Sequence, residues 1–412
     1  MGRIAGRFKR VEPRRRVRRL VLGLLSDLPR KNCWTIAEWA GESTPEARQH
    51  LLSRAKWNAD AVRDDVRGYV VEHLHDERAV LVVDETGDVK KGIGTVGVQR
   101  QYTGTAGRIE NAQVAVYLVY ARQRGHAAVD RELYVPRSWT TDPGRCRAAG
   151  LGEETAFATK PELAACMVAR FLDVGHRAAR VAGDEVCGGN SKLRSALEEH
   201  GTRYVLAVAC SHEATTSAGK FRADTLAKKV LKRAWQKLSA GTGTGTGAKG
   251  HRFYDWAVID LANPETGSRQ LLIRRNRSTS ELACYRCYSP ARVPPAELVR
   301  VAGSRWRVEE FFQSGKGLAG LDEHQVRRYA SWSRWVTLAM LAHTFLTVVR
   351  AEEHIRQPAP DGLTPLTCNE IQHLFITLVV QPVHTAAYRL CWSIWRMGPE
   401  TTYRAVERDC EI

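Results

Sequence analysis

The chain has 412 residues, 43% hydrophobic and 26% charged, which is enough apolar material for a sizeable core and, at ~100–200 residues per unit, for two to three structural units. It reads as a folded soluble protein. Lys and Arg number 62 against 45 Asp and Glu, a net charge of +17; so large a surplus is self-repelling without a polyanionic partner, and nucleic acid is the usual one.

The basic start, MGRIAGRFKRVEPRRRVRRL, leads into no uninterrupted apolar stretch of secretory length before Asp27, so no signal peptide is expected. The most apolar later stretch, VTLAMLAHTFLTVV from Val336 to Val349, carries His343 and three threonines and falls short of the ~18–20 residues of a bilayer span. It reads as a core helix, and no membrane is expected as partner. Ten cysteines scattered along the chain fit reduced thiols in a cytoplasmic compartment and not a disulfide framework.

Between Arg14 and Leu28 the residues Val17, Leu20, Val21, Leu24 and Leu25 recur at helical spacing with arginines on the other face, the pattern of an amphipathic helix with a basic back. Thr35 to Ala40, a break at Gly41 to Ser43, and a helix opened by Thr44-Pro45 follow, with Thr as N-cap and Pro in the first turn. Two short helices and a turn suit either a plain helical hairpin or a helix-turn-helix that reads DNA. Residues 1–75 are therefore assigned to a helical N-terminal DNA-binding region.

From Arg78 the pattern changes: AVLVVDET is a β-branched buried-strand run expected to end at Asp84. Gly94 to Tyr102 and Gln113 to Ala121 read as two further strands of a meander. Lys160 to Val174 has helical periodicity, Ala179 to Asp184 is a strand running into an acid, Ser191 to His200 a helix and Tyr204 to Ala209 a strand. Antiparallel strands followed by alternating helices and strands imply a mixed α/β (α+β) fold, a mixed sheet covered by helices in the order of an RNase H-like core, with its first part at 76–210. Residues 211–280 read as a β-rich insertion: strand-like Phe253 to Ile259 and Gln270 to Arg274 follow a flexible Gly/Thr-rich stretch, Leu238 to Gly250. The core resumes over 281–350 with a strand at Leu282 to Tyr288 and one long helix from Ala296 to Lys316. A polar, Pro-containing linker, EEHIRQPAPDGL, and a helix at Thr367 to Val380 complete a 351–412 tail.

Chemistry concentrates at three acids. Asp84 and Asp184 each follow a hydrophobic strand, where an enzyme needing divalent ions on oxygen ligands places carboxylates; an acid there also serves as a plain helix cap. In SRWRVEEFFQSGK, Arg305, Glu309 and Lys316 stand at i, i+4 and i+11, within about 40° of one another on a helix, whereas Glu310 is turned about 140° from Arg305. Trp306, Val308, Phe311 and Phe312 make the helix too apolar to be wholly solvated, so the charged stripe is expected to face a cleft. Lys90, Lys91 and Arg100 suit either phosphate contacts or a solvated basic loop, and Lys228, Lys229, Lys232 and Arg233 either DNA contacts or an exposed helix face. Cys284 and Cys287 lack the second pair that a zinc ribbon needs. His324 and His343 read as packing and surface residues, and Glu85 and Asp88 as supporting or turn residues.

Taken in order, LVVDETGDVKKG, TVGVQRQYTGTAGRIENAQVAVYL, RELYVPRSW, ATKPEL, VAGDEVCGGN, YDWAV, VAGSRWRVEEFFQSGKGLAGLDEHQVR and SWSRWVTLAMLAHTFL resemble the DDE transposases of bacterial insertion sequences, in the branch typified by insertion sequence seven-oh-one. The resemblance covers most of the chain, up to about Trp395. It implies a catalytic, metal-binding triad of Asp84, Asp184 and Glu309, and two Mg2+ ions per active site, with Mn2+ as a substitute. Its Tyr-x2-Arg-x3-Glu-x6-Lys helix signature is matched at Arg305, Glu309 and Lys316 but has Ala302 where the tyrosine stands, so the tyrosine's phosphate contact is not expected here. The implied activity is strand cleavage at terminal inverted repeats and strand transfer into target DNA. The implied partners are double-stranded DNA and a second copy of the chain in a homodimeric DNA complex. Two other readings share these features: a catalytically silent or domesticated DNA-binding protein, and a nuclease of the same fold that does not join strands.

Overall fold

The computed structural model describes residues 1–242, 251–262, 267–358 and 365–380. Its strands are β1 (Val80–Val89), β2 (Gln99–Thr103), β3 (Arg108–Ala121), β4 (His126–Leu133), β5 (Arg180–Gly183), β6 (Tyr204–Val208), β7 (Glu213–Thr216), β8 (Gly219–Arg222), β9 (Gln236–Thr242), β10 (His251–Asp260), β11 (Ser268–Arg275) and β12 (Leu282–Ser289). All but the small β7–β8 hairpin form one sheet, in the order β2-β3-β1-β5-β6-β12-β11-β10-β9, with β4 also paired to β3. β3 runs antiparallel to β1 and β4 antiparallel to β3, while β5 is parallel to β1 and β6 to β5. The path β4-β3-β1-β5-β6 is thus a three-strand antiparallel meander followed by two parallel strands, the RNase H-like order that the sequence pattern implies.

Alternation along β1 explains its central place. Val80 and Val82 enter the core on one face and Leu81 and Val83 the core on the other, as a strand covered on both sides must. Helices Val11–Leu25, Pro295–Ser304 and Trp306–Ala319 contribute to the first core, and Lys160–Asp173 and Ser191–Glu199 to the second. Helix Tyr329–Arg356 contributes to both, through Trp332 and Trp335 on one side and Val348 and Ala351 on the other. It confirms the core helix expected around Val336 to Val349, and among the described residues no helix is long and apolar enough to cross a membrane.

Several expectations need correction. β1 does not end at Asp84 but continues to Val89, because β3 goes on pairing with it from Asp84↔Tyr117 to Val89↔Ala112 after the parallel partner β5 has stopped at Gly183. The long helix expected from Ala296 to Lys316 is two helices, Pro295–Ser304 and Trp306–Ala319, meeting at Arg305. Gly303 and Ser304 account for the break: the Ser304 hydroxyl donates back to the Arg300 carbonyl at 2.9 Å, and Gly-Ser pairs and such back-bonding bend helices. Of the strands in the insertion, β7 and β8 form their own hairpin, whereas β9, β10 and β11 join the core sheet: β12 pairs with β6 through Cys284↔Val208 to Tyr288↔Tyr204 and carries β11, β10 and β9 onto its edge. Helix Ala59–Leu74 and strand β4 were not marked by the periodicity. The start of the expected linker is helical as far as Arg356, and the final helix runs over Cys368–Val379. The Gly/Thr stretch at 243–250, residues 359–364 of the linker and the tail beyond 380 lie outside the described residues.

Candidate active site

Parallel pairing of β1 and β5 ends at Val83↔Gly183, so the next residue of each strand, Asp84 and Asp184, emerges at the same carboxyl edge of the sheet. Ends of adjacent parallel strands are where open α/β sheets gather ligands. Asp184 caps the Glu185–Gly189 helix, its Oδ1 accepting from the Cys187 N–H at 3.0 Å. Asp84 accepts from the Glu85 N–H at 2.8 Å and faces an Arg305 Nη1 at 3.7 Å.

One carboxylate oxygen from each of Asp84, Glu85 and Asp184 lies within 4.8 Å of the other two. Glu85 is the member that sequence reasoning missed, having placed it among the supporting residues. On a strand its side chain points away from that of Asp84, and Lys160, at the start of the Lys160–Asp173 helix, forms an ion pair with it. The only signal for it in the sequence was its adjacency to Asp84.

Asp84 is 11% exposed. Burial first, then the charge of Asp184, push its carboxyl up to about 7; Glu309 adds a weaker push, while the Glu85 N–H and Arg305 pull the other way. A hard oxygen set whose acids repel one another fits a divalent cation such as Mg2+, which would relieve that repulsion.

Glu309 lies on the exposed side of the Trp306–Ala319 helix. It is near enough to act on Asp84 electrostatically but stands outside the 4.8 Å group. Glu310, the neighbour set aside, pairs with Arg307 at 2.7 Å. The apolar side of this helix is buried as expected through Val308, Phe311 and Phe312, with both phenylalanines packed on Tyr117, the residue paired with Asp84 across the β1–β3 ladder. Trp306 instead is 54% exposed, its ring 5.2 Å from the Arg252 guanidinium.

The basic candidates separate into two groups. Lys316 lies 3.5 Å from Asp88 and 3.8 Å from Asp322, and Lys90 donates to the His324 carbonyl at 3.2 Å. Asp88 also accepts from His324 Nε2 at 3.2 Å; burial, and then the neighbouring Lys90, push that imidazole down to about 4, so it stands neutral at pH 7. Lys91 and Arg100 are exposed, as are Lys228, Lys229, Lys232 and Arg233. His343 is buried against Ser314 at 2.8 Å. Cys284 and Cys287 enter cores on opposite faces of β12 and cannot share one ion.

A cleft of about 930 Å3 opens beside the acids, lined by Asp184, Arg252, Tyr254, Arg274, Arg305 and Trp306 among others. Ala302 lies on its wall, so the position of the missing signature tyrosine does face this space. Arginines and rings around a groove that ends at carboxylates can hold a nucleic-acid backbone beside a metal site.

Comparison with known proteins places these features in context. The profile of the DDE superfamily endonucleases matches residues 3–227, and that of the transposase DDE domain matches residues 169–345. A probable transposase for insertion sequence element IS701 from Microchaete diplosiphon is 32% identical over 195 residues, 47% of this chain and 48% of the relative. The matched part spans about half the length of that curated relative. Among solved structures, a piggyBac transposase synaptic complex with hairpin DNA is similar at a TM-score of 0.43 and 10% identity, over 93% of this chain and 76% of that one. The NurA nuclease from Sulfolobus solfataricus is similar at a TM-score of 0.26 and 10% identity, over 69% and 87%.

Proposed function

Since the chain belongs to the DDE superfamily endonucleases, we propose that it is the transposase of an insertion sequence, cleaving DNA strands at terminal inverted repeats and joining the ends to target DNA. The observation that carries this reading is the meeting of Asp84 and Asp184 at the carboxyl edge of β1 and β5, with the Asp84 carboxyl raised to about 7, beside an arginine-lined cleft. Asp84, Asp184 and Glu309 would hold two Mg2+ ions, or Mn2+ in their place, with Glu85 a further oxygen donor at hand. When bound, such a metal pair supplies activation of the attacking water or 3′-hydroxyl and stabilisation of the leaving oxygen.

The chain's own residues do the positioning. Asp84, Asp184, fixed by the Cys187 N–H, and Glu309 would be the carboxylates that hold the ions. Arg305 grips a strand phosphate as a fork, and its place beside Asp84 sets that phosphate next to the acids. Lys316 and Lys90 reach phosphates by leaving Asp88 and the His324 carbonyl, whereas Lys91 and Arg100 contact them from the exposed side. Residues 1–75 act as the DNA-binding region, and the catalytic core, 76–210 and 281–350, is divided by the 211–280 insertion. Two ends handled together call for a homodimer, working in the cytoplasm at the nucleoid.

The test uses the full chain, Mg2+ and an oligonucleotide bearing the inverted repeat that flanks the gene. Nicked and joined products are expected, and Asp84→Asn, Asp184→Asn and Glu309→Gln should each lower the cleavage rate about a thousandfold, the loss of ~4 kcal/mol of transition-state stabilisation, with DNA binding kept. Asn still caps a helix, so Asp184→Asn leaves the fold intact. Cleavage retained by all three variants rejects the assignment, and nicking without joined products reassigns the chain to a nuclease that does not transfer strands.

A further inference from the structure

Away from the acids, on the sheet face opposite the Trp306–Ala319 helix, a second cavity of about 290 Å3 is lined by Ser191, Arg194, Ser195, His212 and Arg286 among others, with Glu198 and Glu213 also on its wall. Its charges are unbalanced in an informative way. Glu198 is already engaged at both oxygens, by the Tyr204 hydroxyl at 2.6 Å and by Arg269 Nε at 3.1 Å, and Glu213 pairs with Lys220 at 2.5 Å. Arg194 donates to the Gly188 carbonyl. That leaves the Arg286 guanidinium, the His212 ring and the Ser191 and Ser195 hydroxyls, none of which makes a side-chain hydrogen bond or ion pair among the described residues.

Arg286 and Arg194 also repel each other and His212: burial first, then the neighbouring arginines, lower both Arg286 and His212, with Tyr204 and Glu198 opposing at Arg286 and Glu213 at His212. Two guanidiniums, an imidazole and two hydroxyls around one small open space are the donor set that a phosphate oxygen cluster requires. His212 is the one ring in the lining, so the cavity offers no platform for a base and reads phosphate alone.

We propose that this cavity is a second phosphate site, taking a backbone phosphate of bound DNA on Arg286, Arg194, His212, Ser191 and Ser195. The proposal rests on the DNA-acting reading above. Register fixes where the site lies: Val83↔Gly183, Gly183↔Leu206 and Leu206↔Arg286 form one row across β1, β5, β6 and β12, which puts Arg286 three strand spacings, about 14 Å, from β1. Lying on the face away from Glu309, the site contributes to DNA affinity and not to bond cleavage.

Titrating the full chain, without divalent metal, against a fluorescent duplex oligonucleotide between 50 and 200 mM salt gives the dependence of binding on ionic strength. Arg286→Ala should make the log–log slope shallower by about 0.9, the value of one phosphate contact. Ser195→Asp, at an exposed helix position, should do the same and serves even if loss of Arg286 disturbs β12. Inorganic phosphate should raise the NMR titration midpoint of His212 in the parent chain and not in Arg286→Ala. Unchanged slopes in Ser195→Asp and in folded Arg286→Ala overturn the proposal. So does phosphate binding at His212 with an unchanged DNA slope, which assigns the cavity to a free phosphate. A chain that shows these slope changes yet cleaves nothing overturns the cleavage reading and leaves this site standing; equal slopes with intact cleavage do the reverse.

Discussion

Burial, and then the charge of Asp184, make the Asp84 carboxylate costly in the folded chain. Its folded value of about 7 lies above the ordinary 3.8, so the folded chain binds this proton more tightly than the unfolded chain does. The stability it lends is fully present below about pH 4 and is lost as pH rises through about 7, an effect of a few kcal/mol. In EDTA, thermal melts should therefore fall more steeply between pH 4 and pH 7.5 for the parent chain than for Asp84→Asn, with Mg2+ restoring the parent most above pH 7. Parallel melting curves for the two proteins would show that burial and the charge of Asp184 do not raise this carboxyl. At this scale Asp84 and Asp184 were legible because each follows a short apolar run, Leu81-Val82-Val83 and Val181-Ala182-Gly183. Glu85 was not, since strand alternation turns it away from Asp84 and only the folded edge brings their oxygens together.

Two glycines show how elements aim these side chains. A Cβ on Gly188 would stand 1.8 Å from the Ala207 carbonyl oxygen, and one on Gly303 would stand 1.9 Å from that of Ala240. Gly188 lets the helix capped by Asp184 lie against β6; Gly303 lets the Pro295–Ser304 helix lie against β9 just before Arg305. Gly188→Ala and Gly303→Ala should each cost about 1–3 kcal/mol or more by denaturant unfolding. Gly188→Ala should also weaken Mg2+ binding, because it moves Asp184; stability and metal affinity equal to the parent would refute this account. The stripe of Arg305, Glu309 and Lys316 was visible as helical spacing, whereas the break at Arg305, set by Gly303 and the Ser304 back-bond, does not show in that spacing.

Across the whole molecule, the N-terminal helices are not an appendage. Ile4, Phe8, Val17 and Leu20 share a core with Trp332, Trp335 and Phe311. Asp130 of β4, fully buried, accepts Arg67 of the Ala59–Leu74 helix at 2.8 Å, with Arg63 and Arg170 at 3.3 and 3.1 Å. Breaking such a buried set by removing one partner is costly, so residues 1–75 and the sheet should unfold in one transition. Hydrogen exchange should give the Val11–Leu25 helix and β1 similar opening free energies, and Trp335→Ala should lower both together by about 3–5 kcal/mol. Early, separate exchange of the N-terminal helices would show an independent unit.

The sequence by itself determined the mixed α/β class, the basic surplus and the two acids Asp84 and Asp184, because apolar periodicity and carboxylates after apolar runs are local features of the chain. Only the tertiary structure decided that β12 and its partners prolong the core sheet, that Glu85 joins Asp84 and Asp184, that Lys90 and Lys316 turn toward Asp88 and His324, and that Arg286, Arg194 and His212 share one cavity. Each of these is set by the pairing or burial of residues far apart in the chain, and periodicity within one segment carries no information about what another segment brings to it.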